Sequence, residues 1–390
     1  MSVWKECTIA DLGTVVGGAT PSTKDSANYD NGTIAWLTPK DLSGYQRRYI
    51  SRGERNITEK GLRSCSTQLM PRHTVLFSSR APIGYVAIAE NELCTNQGFK
   101  SIIPNENTDY LFLYYLLKYN KDAIENMGSG TTFKEVSGNT MRGIRVRVPS
   151  DIETQRRIAG VLGSIDDKIE QNIAINNNLA QQANAMYQDL SRRIHNTQYC
   201  TISLSDLMDY AGGSQPPASE FISEEKQGYV RFVQIRDYET DGHITYIPIS
   251  SKNKLCEEHD IMIARYGASL GRICYGLNGA YNVALAKVFP KKPYYREFLR
   301  CYLSSREFYE GINNKGGRSA QAGFNQSDIN SFELEFPIDE EVIKEFELVA
   351  RSLFELRLYH DKESKRLSVL RDTLLSKLMS GEFDVSEVEI

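Results

Sequence analysis

Three short polar loops occur twice along this chain, in the same order and with altered side chains. Gly17-Gly18-Ala19-Thr20-Pro21-Ser22 answers to Gly212-Gly213-Ser214-Gln215-Pro216-Pro217, and Ser79-Arg80-Ala81-Pro82-Ile83-Gly84 to Ala264-Arg265-Tyr266-Gly267-Ala268-Ser269-Leu270-Gly271. Gly128-Ser129-Gly130-Thr131-Thr132 answers to Gly316-Gly317-Arg318-Ser319-Ala320-Gln321. Turns of this composition bring backbone amides and short polar groups close to a partner. Such donors suit phosphates, while Arg, Gln, Asn and Lys read base edges in a DNA major groove. A plain structural turn explains any single loop as well. Recurrence of all three in both halves puts ligand binding level with that reading.

Bond-making chemistry finds no comparable set of residues. There is no GxxxxGK[ST] phosphate loop, and Gly128-Ser129-Gly130-Thr131-Thr132-Phe133 follows a helix-like segment and ends in Phe rather than Gly. HExxH, GxSxG and the Asn/Asp-Pro-Pro-Tyr/Phe of amino-methyltransferases are missing. The five His, at 73, 195, 243, 259 and 360, lie far apart, and His73 and His259 each follow a turn and precede a strand, a structural place. Seven Cys form no CxxC pair and no zinc spacing, and their odd total argues for reduced thiols rather than disulfides. The acidic pairs Asp166-Asp167 and Glu340-Glu341 are expected at helix starts, complementing the helix dipole. Catalytic residues and a metal site are therefore not expected.

The repeat extends to the elements that must hold these loops. Ile34-Ala35-Trp36-Leu37-Thr38 answers to Val230-Arg231-Phe232-Val233-Gln234, each followed by an acid, Asp41 or Asp237, at an offset of 196. His73-Thr74-Val75-Leu76-Phe77 answers to His259-Asp260-Ile261-Met262-Ile263 at 186, and Val148-Pro149 to Phe336-Pro337 at 188. The second copy is shorter by ten residues in a loop-like stretch. Each copy reads as a compact mixed α/β domain with one helix-like segment, Asp109 to Met127 or Tyr294 to Asn313. With 390 residues, 41% of them hydrophobic, the chain can bury such cores, and neither a disordered nor a collagenous chain fits. A net charge of −4 excludes a globally basic nucleic-acid coat. No run approaches the roughly 20 apolar residues of a spanning helix, and Met1-Ser2-Val3-Trp4-Lys5-Glu6 lacks the charged-then-apolar pattern of a leader, so a soluble cytoplasmic protein is expected.

After Pro149 and after Pro337, a pattern free of Pro runs for about 40 residues with coiled-coil spacing. Its seam reads Ile165, Ile169, Asn172, Asn176, Leu179, Ala183, Met186 and Leu190 in the first segment, and Leu353, Leu356, His360, Glu363, Leu367, Leu370, Leu374 and Leu378 in the second. Polar seam positions cost stability but specify register, which assigns that role to Asn172, Asn176, His360 and Glu363. The organisation expected is thus domain 1–150, helix 151–195, domain 196–337, and helix with tail 338–390. A domain–helix unit repeated once closes most simply about a pseudo-twofold axis, with the helices antiparallel and roughly 60 Å long. Two similar heads on such a spacer suit a ligand that repeats along a line, as duplex DNA does at about 34 to 36 Å per turn.

At this point the chain resembles the specificity subunits of type I restriction-modification enzymes over nearly its whole length. The resemblance is most specific at Glu153-Thr154-Gln155-Arg156-Arg157-Ile158-Ala159-Gly160-Val161-Leu162 with Asp166-Asp167-Lys168-Ile169, and at Leu370-Arg371-Asp372-Thr373-Leu374-Leu375-Ser376-Lys377-Leu378-Met379-Ser380-Gly381-Glu382-Phe383. Asp339-Glu340-Glu341-Val342-Ile343 departs from it, lacking Gln-Arg-Arg, which points to different partner contacts in the second copy. The resemblance implies two target recognition domains, each reading half of an asymmetric bipartite DNA site, with the antiparallel coiled coil fixing the spacer. It also implies a chain without activity of its own. Two methyltransferase subunits binding S-adenosylmethionine would dock on it, and ATP- and Mg-dependent restriction subunits would join. Matching turn positions then nominates DNA contacts: Thr20, Ser22, Lys40, Arg80, Lys100, Thr131 and Lys134 in the first domain, and Gln215, Arg236, Arg265, Tyr266, Lys287, Arg318 and Gln321 in the second. A two-headed protein–protein adaptor without DNA recognition is the alternative of a different class.

Overall fold

The computed structural model describes residues 3–130, 134–196, 198–316 and 323–385. The chain forms two compact units, one of residues 1–173 with 362–390 and one of residues 174–361.

In the first unit, Trp4–Thr8 pairs antiparallel with Arg145–Pro149 and so ties the two ends of the domain together. A five-stranded sheet runs in the order Gly13–Gly17, Lys100–Pro104, Val75–Ser79, Ile83–Ala89, Tyr49–Ile50. Val75, Leu76 and Phe77 are fully buried, so the continuous apolar run packs on both faces of the sheet rather than alternating. A smaller sheet joins Arg55–Ile57, Ile34–Leu37 and Cys94–Thr95. The helix Tyr110–Tyr119 starts where the Asp109 carboxylate accepts the amide of Phe112 at 2.8 Å, and its Phe112, Leu113, Leu116 and Leu117 pack on the larger sheet. Where one helix was expected from Asp109 to Met127, a second, Lys121–Asn126, follows it. The break falls at Asn120, whose side-chain amide donates to the Leu116 carbonyl at 2.8 Å and competes with the helical ladder.

The second unit repeats this plan. Tyr199–Ser203 pairs with Glu333–Pro337, as Trp4–Thr8 does with Arg145–Pro149. One sheet runs Met208–Gly212, Leu285–Pro290, Met262–Ala264, Ile273–Cys274, and the other Tyr246–Pro248, Tyr229–Val233, Gly279–Tyr281, Leu255–Cys256. The parallel pairing of Ile34–Leu37 with Cys94–Thr95 has its counterpart in Tyr229–Val233 with Gly279–Tyr281. The acids matched at an offset of 196 do the same local work: Asp41 accepts the amide of Thr38 at 2.7 Å and Asp237 that of Gln234 at 2.9 Å, capping the short turns Pro39–Leu42 and Ile235–Tyr238. The segment expected as one helix from Tyr294 to Asn313 divides into Arg296–Leu303 and Arg306–Gly316. Ser305 restarts the second by accepting the amide of Phe308 at 3.2 Å.

The long helices are Ile152–His195 and Glu341–Ser380. Their caps are Asp151, which accepts the Thr154 amide at 2.7 Å, and Asp339, which accepts that of Glu341 at 3.0 Å. Asp166 and Asp167 therefore lie several turns inside the first helix, not at its start as expected, and serve other partners. Glu340 stands at the expected place, but its carboxylate is held by Lys292, Tyr294 and Tyr295.

Within each unit the two helical segments run antiparallel. In the first unit Asp166 pairs with Arg371 at 2.8 Å, and Asn172 donates to Glu363 at 2.7 Å. In the second, Asn176 donates to Asp361 at 2.7 Å and to the Arg357 carbonyl at 3.0 Å, and Arg193 pairs with Glu345 at 3.6 Å. His360 is buried beside these contacts. The seam assigned to the second helix needs correction: Leu356 and Leu370 are exposed, whereas Phe346, Ala350, Phe354, Leu358, Leu375 and Met379 are buried. That helix also faces the globular cores. Phe346 and Ala350 pack in the second core and Leu375, Leu378 and Met379 in the first, so its buried stripe is not a simple two-helix seam.

Buried charges fasten each domain to its helices. In the first unit, nearly fully buried Arg48 pairs with Asp167 and with Glu170, and Tyr115 donates to Asp166 at 2.6 Å. Burial and then the Asp166 charge push the Tyr115 phenol far up, so it remains a donor at any physiological pH. In the second unit, Glu297 accepts Arg300 Nε at 2.6 Å and Arg296 Nε at 2.7 Å, and its own amide donates to Glu347 at 2.8 Å. The Arg300 guanidinium lies 4.4 Å from the Tyr275 ring centre and 4.9 Å from that of Phe354.

All seven Cys are free. Burial pushes the thiols of Cys94, Cys256 and Cys274 up to about 11. A thiol reagent at neutral pH is therefore expected to label exposed Cys200 first and to spare those three until the chain unfolds. Rapid labelling of Cys256 in the folded chain, read by mass spectrometry, would contradict this.

Candidate nucleic-acid interface

In the first domain several of the polar loops meet at one end of the five-stranded sheet. Gly17 closes its strand opposite Lys100, which opens the next, and Ser79 closes the third. Gly18 is required by close approach: a side chain there would stand 2.1 Å from the Thr95 carbonyl oxygen, and Gly213 is in the same position against Tyr281 at 2.2 Å. The following amides turn inward, Ala19 to the Thr95 carbonyl and Ser214 to that of Tyr281, both at 3.1 Å. The amides of Ala19 and Ser214 are thus not offered to a partner. Thr20 donates to Gln97 at 2.5 Å, and exposed Ser22 follows it. Exposed Lys40 rides on the turn Pro39–Leu42, paired with Glu54 at 3.0 Å.

Arg80 and Lys100, far apart in sequence, converge on a residue that the sequence analysis did not name. Glu135 lies 3.7 Å from Arg80 and 3.3 Å from Lys100, one cation on each carboxylate oxygen. Its backbone exchanges hydrogen bonds with Ser129, and the next amide, of Val136, donates to Ser79 at 3.0 Å. Lys134 is exposed beside it, and Thr131 lies outside the described residues. A signal existed, since an acid following Lys134 would sit on the opposite side of an extended strand, but it pointed to no partner.

The second domain builds the same place from different residues. Arg265 donates its amide to Ala284 as Ser79 does to Gly98, and Tyr266 bridges Gly323 as Arg80 bridges Glu135. The structural counterpart of Arg80 is therefore Tyr266, one residue on from the Arg265 that composition suggested. The Arg265 guanidinium lies 5.1 Å from the Tyr266 ring centre and 5.9 Å from that of Phe324. Its Nε is buried without a hydrogen-bond partner, and among the described residues no carboxylate pairs with it. Gln215 and Arg236 are exposed, the latter on the turn Ile235–Tyr238 that matches the one bearing Lys40. Lys287 does not join them: it pairs with Asp260 at 2.6 Å, before the strand Met262–Ala264 rather than beyond it. The strand register places Ala286, not Lys287, opposite Gly212, where the first domain has Lys100 opposite Gly17. Arg318 and Gln321 lie outside the described residues.

Among the described residues no group of His, Cys, Asp and Glu could hold a metal ion, and no helix is long and apolar enough to cross a membrane. What the two domains share is a pair of donor-bearing loop clusters, on matching sheets, differing in their side chains. That arrangement defines a two-domain recognition protein with paired long helices. Residues 1–181 match the type I restriction modification DNA specificity domain. The MjaIX type I restriction enzyme specificity subunit of Methanocaldococcus jannaschii is 32% identical over 99% of this chain and 94% of its own. The EcoR124I/EcoR124II specificity subunit of Escherichia coli is 26% identical over 48% of this chain and 47% of its own. The crystal structure of the type I restriction-modification S subunit from Mycoplasma genitalium shares the fold, with a TM-score of 0.64 at 16% identity, covering 97% of this chain and 96% of that one. The chain belongs to the family of type I restriction enzyme specificity subunits.

Proposed function

We propose that each domain reads one half of an asymmetric bipartite site in double-stranded DNA, through the loop cluster at the end of the sheet that carries its Gly-Gly turn. One observation carries this reading. The same structural place holds Arg80, Lys100 and Glu135 in one domain and Arg265, Tyr266 and Gly323 in the other, as two different half-sites require. The candidate contacts are Thr20, Ser22, Lys40, Arg80, Lys100, Lys134, Gln215, Arg236, Arg265 and Tyr266, together with Thr131, Arg318 and Gln321, which lie outside the described residues. The long helices fix the spacer and dock two methyltransferase subunits, with restriction subunits joining them in the cytoplasm. The chain itself is non-catalytic, and S-adenosylmethionine, ATP and Mg belong to the partner subunits.

Charge supports a need for partners. Residues 1–150 carry 18 basic and 14 acidic side chains, and residues 196–337 carry 15 and 17. Because phosphate neutralisation supplies most non-specific affinity, the methyltransferase subunits must add positive charge around the duplex. No observation favours the adaptor reading. Single-molecule sequencing of plasmid DNA from cells with this chain and its methyltransferase, against cells with the methyltransferase alone, tests the proposal. Methyladenine at one asymmetric bipartite motif, appearing only with this chain, is expected. A stable complex that methylates no such motif would overturn it.

A further inference from the structure

The two domains differ in charge at a place where their folds coincide. In the first, two cations share a single carboxylate, Arg80 at 3.7 Å and Lys100 at 3.3 Å from opposite oxygens of Glu135. In the second, Gly323 stands where Glu135 does, and a side chain there would meet the Tyr266 ring at 2.5 Å, so an acid would displace that ring. Glu135 is not a mobile surface acid. Its backbone is held by two hydrogen bonds to Ser129, at 2.9 and 3.0 Å, while its side chain stays partly exposed beside its partners.

Resting on the reading that this end of the sheet faces the duplex, we propose that Glu135 is a specificity-determining residue that withholds Arg80 and Lys100 from phosphates. A carboxylate fixed between two cations cancels one of their two charges and repels any phosphate brought within their reach, so the cluster displaces fewer counterions from DNA than two free cations would. Contacts of that kind are the sequence-independent ones. A base edge bearing two acceptors, such as the O6 and N7 of guanine, carries no formal charge and engages the free donors of Arg80 against a much weaker repulsion. The acid therefore costs more affinity on a random sequence than on the cognate one, which is discrimination by penalising the wrong partner.

The test uses the complex of the full chain with its methyltransferase subunits, titrated with the duplex identified by methylation sequencing and with random duplex, across a range of salt. Glu135→Gln keeps the shape and removes the charge. It is expected to tighten binding of random duplex roughly tenfold and to steepen its salt dependence by about one phosphate contact. Cognate affinity should change less, so the specificity ratio falls. An unchanged ratio and salt slope for a variant with an unchanged melting temperature would overturn the role of Glu135. The double variant Arg80→Ala, Lys100→Ala separates the two levels. If it binds both duplexes as the parent does, this face is not at the DNA. If it loses cognate binding while Glu135→Gln changes nothing, only the inference about Glu135 fails.

Discussion

Replacing Arg265 by Ala is expected to weaken cognate binding by about 1–3 kcal/mol, and to relax discrimination at one base pair of one half-site. The guanidinium lies over the rings of Tyr266 and Phe324, has a buried Nε without a partner, and has no carboxylate partner among the described residues. A planar cation held this way has lost its conformational freedom before binding, so little ordering cost remains to be met on contact. Its natural acceptor is a bidentate one, the O6 and N7 edge of guanine. Arg265→Lys is expected not to rescue, because an ammonium neither stacks nor forks. The measurement is a competition series in which each base pair of the cognate half-site is changed in turn. A uniform loss across all sequences, with a salt slope smaller by about one, would instead make Arg265 a phosphate contact.

Removal of Glu297 is the second large effect, and it falls on stability. Glu297 and Arg300 are 1% and 2% exposed, and the carboxylate also takes Arg296 at 2.7 Å. Glu297→Ala leaves Arg300 buried without its counter-charge, at an expected cost of about 3–5 kcal/mol. Arg300 remains stacked on Tyr275 and Phe354 and donates to the His259 carbonyl at 2.9 Å, which moderates the loss without supplying an anion. Urea unfolding followed by far-UV circular dichroism reads this as a lower midpoint for the second unit. The paired change Glu297→Met, Arg300→Leu should recover much of the loss, since apolar replacement of a buried pair is often neutral. A shift in the single variant below about 1 kcal/mol would mean that water reaches the pair.

Much of the architecture is legible in the sequence because it rests on local pattern. The two copies align through strand runs such as Val75 to Phe77 and Ile261 to Ile263, and the Gly17-Gly18 and Gly212-Gly213 turns repeat because both must press against a neighbouring carbonyl. The long helices followed from an unbroken apolar period, and Asn172 and Asn176 were marked as special because polar residues on that period are rare. The acids at Asp166 and Asp167 were misread for the same reason. An acidic pair near a helix start has a local explanation, and nothing local announces Tyr115, Arg48 and Arg371 as its partners.

The sequence by itself thus determined the repeat, the mixed α/β domains, the long helices and the loops that could hold a ligand, all properties set by neighbours a few positions apart. Only the tertiary structure decided which polar groups stand together. It made Tyr266 rather than Arg265 the counterpart of Arg80, removed Lys287 from the cluster by one step of strand register, and brought Glu135 between Arg80 and Lys100. A shift of one residue in a strand turns every side chain to the other face, and register is settled by packing between distant segments. For that reason composition could nominate the donors, while their partners, and hence the charge each domain presents, came from the fold.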